Sequence, residues 1–126
     1  MTTSLTESPL APDYDRSAMT TGIVHIGVGG FHRAHRAAYI DGLIRERSRS
    51  GATEDDCLAT PGGSCLEWGI CGVGLLPEDA RMRDALESQD HLYTLIRKHP
   101  GGLCDPAVIG SIHDYRLASD APEEVL

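Results

Sequence analysis

The run Gly22-Ile-Val-His-Ile-Gly27-Val-Gly29-Gly30-Phe-His-Arg-Ala-His35 decides the fold. Its first six residues are a short apolar stretch ending in glycine, which suits a buried strand. From Phe31 to Arg47 the apolar residues Ala34, Ala37, Ala38, Tyr39, Leu43 and Ile44 recur mostly three or four apart, the spacing of a helix. Asp41 can pair with Arg45 one turn on. A glycine-rich turn therefore lies between a strand and a helix. In that setting the first glycine permits a tight turn, and the second lets backbone approach a pyrophosphate without a Cβ in the way. The helix N-terminus then presents unpaired N–H groups. Arg33, in the first turn, can add a charge-assisted contact to phosphate oxygens. The third glycine of G-x-G-x-x-G is His32 here. By itself such a turn also serves structure alone, or a binder of FAD or S-adenosylmethionine.

Outward from this turn the pattern repeats. Trp68-Gly-Ile-Cys-Gly-Val-Gly-Leu-Leu76 is a second buried strand, and Glu78 to Asp90 follows as a short helix with Met82, Ala85 and Leu86 spaced for one face. Leu92–Ile96 and Ala107–Leu117 read as further strands, with turn chemistry at Pro100-Gly-Gly between them. The order strand–helix–strand–helix–strand calls for an α/β fold, a Rossmann-like dinucleotide-binding domain with a mostly parallel sheet. Residues 1–20 are expected as a lead-in arm. Residues 21–126 are expected as a partial domain with a loop insertion at 48–67. Asp120-Ala-Pro-Glu-Glu opens a helix that has only a few residues to run, so the sheet is expected to be incomplete and the chain a fragment.

The end of the second strand is where an acid would accept hydrogen bonds from an adenosine ribose. Glu78 and Asp79 fall there, 49 and 50 residues beyond Gly29, with the 48–67 insertion accounting for the added length. The same two residues suit helix capping, and both roles can coexist. Two carboxylates would repel a 2′-phosphate, so NAD is expected over NADP.

Charge and composition narrow the partners. The 126 residues carry 19 acids against 11 Lys and Arg, a net charge of −8. The one basic concentration, five arginines from Arg33 to Arg49, is offset by Asp41 and Glu46. It suits a small anion rather than a nucleic acid. The first twenty residues lack a secretory pattern, and no continuous apolar run approaches the roughly 18 residues of a membrane span. The cytoplasm is the expected compartment. The four cysteines include no C-x-x-C, and a disulfide framework is not expected. His32 and His35 lack further ligands at metal spacing, His25 reads as a core or cleft residue, and neither a P-loop nor G-x-S-x-G is present.

GIVHIGVGGFHRAH, preceded by Tyr14-Asp-Arg-Ser17 and followed by WGICGVGLLPED, RMRDAL, QDHLYTL and VIGSIHDY, resembles the long-chain polyol-specific dehydrogenases. This is the mannitol 2-dehydrogenase family, with relatives acting on arabinitol, sorbitol, fructuronate and tagaturonate. The resemblance implies an NAD-binding Rossmann domain whose cofactor is lined by Gly27, Val28, Gly29, Gly30, Phe31, His32 and Arg33. It further implies that Glu78 and Asp79 select NAD. The implied activity is hydride transfer between a sugar alcohol such as D-mannitol and a ketose such as D-fructose. The family's catalytic pattern K-x-R-x-x-N-x-x-H has no counterpart here, since the single lysine, Lys98, stands in Lys-His-Pro-Gly-Gly. No catalytic residue is therefore expected in this chain, and the catalytic domain is expected to be missing. The rival expectation is a non-catalytic gene remnant or nucleotide-binding module.

Overall fold

The computed structural model describes residues 11–50 and 65–119, apart from the side chains of residues 49 and 50. The first apolar run forms β1 (Thr21–Ile26). After the glycine turn come α1 (Gly30–Ala34) and α2 (Arg36–Ser50). The second run forms β2 (Gly69–Gly74), followed by α3 (Ala80–Glu87), β3 (Tyr93–Lys98), β4 (Cys104–Ile109) and β5 (Ile112–Leu117). β1, β2 and β5 make a parallel sheet in that order. Central β2 is buried along its whole length, as a parallel strand covered on both faces must be. β1 lies at the sheet edge, with Val24 and Ile26 both more than half exposed. Among the described residues no helix is long and apolar enough to cross a membrane.

Three elements differ from the sequence reading. The single strand expected across 107–117 is two strands, because the chain turns at Gly110-Ser111. A Cβ at Gly110 would stand 2.8 Å from Pro12 Cγ, and the Ser111 hydroxyl donates to Ala37 O at 2.5 Å. β4 pairs antiparallel with β3, so β5, not β3, takes the third place in the parallel sheet. The Pro100-Gly-Gly turn closes that hairpin, with Gly101 and Gly102 at φ 99° and 91°. The helix expected from Phe31 to Arg47 breaks at His35, φ −118° and ψ −81°, where neither proline nor glycine stands. α3 stops at Glu87, three residues early, as Asp90 and His91 turn to φ 55° and 59° and His91 N–H bonds back to Leu86 O at 2.7 Å. The expected final helix start and the middle of the 48–67 insertion lie outside the described residues.

Two apolar clusters fill the interior. Ala37 and Ala38 of α2 meet Val28, Ile70, Leu86, Ile109, Ile112 and Tyr115. Tyr14 and Met19, from the segment before β1, close over Ile44 and Cys65. Cys71 and Cys104 are free and buried, but Cys65 is disulfide-bonded, where the sequence reading expected no disulfide framework.

Asp41 joins the two clusters. The expected pairing with Arg45 is present at 2.7 Å, but it is interior: Asp41 is 2% exposed. Its Oδ1 accepts from the Tyr14 hydroxyl at 2.5 Å and from Gly110 N–H at 3.0 Å. Arg45 also donates to Ala11 O at 3.2 Å and to Val108 O. Burial and Asp41 push the Tyr14 phenol far above its ordinary range. Removing one partner of such a buried pair strands the other charge, at a cost of about 3–5 kcal/mol. Asp41→Ala is therefore expected to lose about that much stability in urea unfolding. Tyr14→Phe, which removes one hydrogen bond, is expected to lose about 1 kcal/mol.

Candidate functional site

β1 and β2 run parallel with Ile26 opposite Val73, so both strands finish at the same end of the sheet. The glycine turn is anchored there. Gly27 has φ +82°, the left-handed region, and its N–H bonds to Val73 O at 2.9 Å. Val28 turns inward over β2. A Cβ at Gly72 would lie 2.7 Å from Val28 Cγ2 and 2.8 Å from Tyr115 Cδ2, so this glycine makes the room that the turn occupies.

Gly29 is different. Its φ of −115° and ψ of −171° are ordinary extended backbone, and a Cβ there would meet no atom within 4 Å. Neither conformation nor packing among the described residues asks for glycine at this position. A Cβ at Gly30 would meet only the Arg33 guanidinium, at 4.0 Å. The first turn of α1 carries no side-chain cap, and its leading N–H groups have no acceptor within the helix. α1 is five residues long, so it offers open N–H groups rather than a long helix dipole. Arg33 folds back over the turn, its Nε donating to Gly29 O at 3.3 Å. Its own carbonyl accepts the Tyr93 hydroxyl at 2.6 Å, which ties the turn to β3.

A hollow of about 460 Å³ opens here, lined by His25, Gly27, Gly29, Phe31, His32 and Arg36. Phe31 stands 80% exposed at its rim. His32 is buried and stacked on His25. The sequence reading named Gly27, Gly29, Phe31 and His32 for such a place and gave His25 as a core or cleft residue, but missed Arg36. Arg36 follows His32 by four residues, the one helical-spacing signal that pointed to it.

Glu78 and Asp79 lie just past β2, in a 3-10 turn at Pro77–Asp79. They therefore stand at the same end of the sheet as the glycine turn. Glu78 is exposed. The Asp79 carboxylate accepts from Leu76 N–H at 3.0 Å and makes no capping bond to α3, so it closes the turn before the helix instead of capping the helix itself. A second hollow, about 540 Å³, lies between α2 and the β3–β4 hairpin, with Arg45, Glu46, Arg97 and Asp105 among its walls. Nothing in the sequence pattern marked it.

A parallel β-α-β sheet with a glycine turn at the tip of its first strand defines the Rossmann class. The family model described as the mannitol dehydrogenase Rossmann domain matches residues 21–126. The chain belongs to the mannitol dehydrogenase family. It is 44% identical over 115 residues to mannitol 2-dehydrogenase of Pyricularia oryzae and 50% identical over 116 residues to that of Neosartorya fischeri. Each alignment covers 91% of this chain and 20% of the relative, so the chain spans about a fifth of these relatives' length. Among solved structures it resembles Pseudomonas fluorescens mannitol 2-dehydrogenase in ternary complex with NAD and D-mannitol. That match has a TM-score of 0.74 and 41% identity, covering 91% of this chain and 20% of that one. A substrate-free D-sorbitol dehydrogenase matches with a TM-score of 0.73 and 33% identity, over 97% of this chain and 22% of that one.

The fit of Val28 and Tyr115 against Gly72 is directly testable. Gly72→Ala overpacks both contacts and is expected to lower stability by about 1–3 kcal/mol in chemical denaturation.

Proposed function

We propose that this chain is the NAD-binding part of a mannitol-type polyol dehydrogenase. In this reading the open turn at Gly27, Val28, Gly29 and Gly30 receives the pyrophosphate of NAD. Gly29 carries the proposal: its missing side chain leaves space that none of the described residues fills, as backbone approached closely by a diphosphate would require. The leading N–H groups of α1 face the phosphate oxygens, and Arg33 and Arg36 supply positive charge at the rim. Phe31 and His32 wall the hollow. Glu78 accepts from the adenosine ribose; Asp79 holds the turn that presents it. The pair disfavours a 2′-phosphate, so NAD is preferred to NADP.

When bound, NAD supplies the hydride acceptor for a sugar alcohol carbon, giving the ketose. D-mannitol and D-fructose are the proposed substrate pair for a complete enzyme, with arabinitol, sorbitol, fructuronate and tagaturonate as alternatives within the family. The mannitol 2-dehydrogenase complex with NAD and D-mannitol supports this assignment. The residues of this chain bind and orient the cofactor. No Lys-containing pattern K-x-R-x-x-N-x-x-H is present to take the alcohol proton, so proton transfer falls to residues beyond this sequence. The proposed location is the cytoplasm.

Thermal melting with nucleotide tests the cofactor assignment by linkage. NADH is expected to raise the Tm more than NADPH, and equal protection would remove the ribose role of Glu78. Gly29→Val is expected to leave the Tm of the free chain nearly unchanged while abolishing protection by NADH. Retained protection would show that the turn is not the diphosphate seat. Chain and NADH together are expected to show no fructose-dependent loss of NADH absorbance.

A further inference from the structure

β1 and α1 meet through two imidazoles. The His25 and His32 rings stack with centroids 3.6 Å apart and planes 12° from parallel. His32 is 4% exposed, and among the described residues neither its Nδ1 nor its Nε2 has a hydrogen-bond partner. Two unpaired buried nitrogens cost stability that a phenyl ring in the same space would not. A side chain that breaks this rule is expected where function uses the strain.

We propose that the His25–His32 stack is a proton-operated latch. With both rings neutral it seats α1 and the glycine turn on β1, and protonation of His32 unseats them. The stack is the one ring contact between β1 and the turn's helix. A charge on His32 would be buried against a second imidazole and, among the described residues, would have no acceptor for its protons.

The surrounding groups set the direction. Burial first, then His25 on β1 and Arg36 on α2, pushes His32 down to about 4. The Tyr93 hydroxyl of β3 is held by the carbonyl of Arg33, the residue after His32. The folded value lies below the ordinary 6.5, so the proton prefers the unlatched chain. Latch stability is complete above about pH 6.5 and falls progressively as the pH drops from there towards 4. Resting on the reading of this turn as a nucleotide seat, NADH affinity is expected to weaken over the same interval.

Urea unfolding of the whole chain at pH 7.5 and 5.5 tests the latch, in wild type, His32→Phe and His32→Gln. The wild-type unfolding constant is expected to rise about tenfold more than that of either variant between the two pH values. Equal acid sensitivity in wild type and in a folded variant overturns the proposal. The titration of the His32 ring proton by NMR gives a second reading that needs no variant: a midpoint well below 5 supports the latch, and one near 6.5 overturns it. Calorimetric titration with NADH at both pH values then tests the coupling. Affinity that weakens in acid for wild type but not for a folded variant supports it, and equal weakening overturns it. An absence of NADH binding at any pH overturns the nucleotide-seat reading instead, while unfolding and NMR still decide the latch.

Discussion

The buried carboxylate of Asp41 holds together pieces of chain that the sequence keeps far apart. It accepts from Tyr14, ahead of the sheet, from Arg45 one turn along α2, and from the backbone N–H of Gly110 where β4 gives way to β5. Every polar group in this set has a partner, the condition under which a charge is tolerated in an interior. The same set fixes where the second-to-last strand must stop, and thereby lets β5 swing into the parallel sheet beside β2. The edge that carries the glycine turn is aligned because β2 is clamped between its neighbours.

Local signals read well where the physics is local. The apolar run before Gly27 and the run around Ile70 became adjacent parallel strands, and the Pro100-Gly-Gly turn became a hairpin. The break at Gly110-Ser111 was illegible because apolar alternation carries on across it. What ends β4 there is contact with Pro12 and Ala37, residues far away in sequence. The Asp41–Arg45 spacing was visible as a helical pair, but its burial was not, since that depends on Tyr14 closing over it. The kink at His35 has no sequence mark at all.

At the site, the glycines were readable and their separate reasons were not. Gly27 is required by a positive φ and Gly72 by the close approach of Val28 and Tyr115. Gly29 is required by neither, which only the surrounding empty space reveals. Asp79 was read as a helix cap, but its carboxylate accepts from Leu76 N–H and none of the α3 N–H groups, a choice the pattern does not show. His25 was read as a core or cleft residue, and it does line the hollow, but a mid-strand histidine gives no hint of the ring it faces.

β1 ends the described sheet, and Val24 and Ile26 on it are 58% and 59% exposed. An outer strand of this kind leaves a row of backbone donors and acceptors in water beside greasy side chains. Such a row templates further strands. At high protein concentration, isolated copies of this polypeptide should therefore stick to one another side by side, giving turbid solutions well before the fold itself melts.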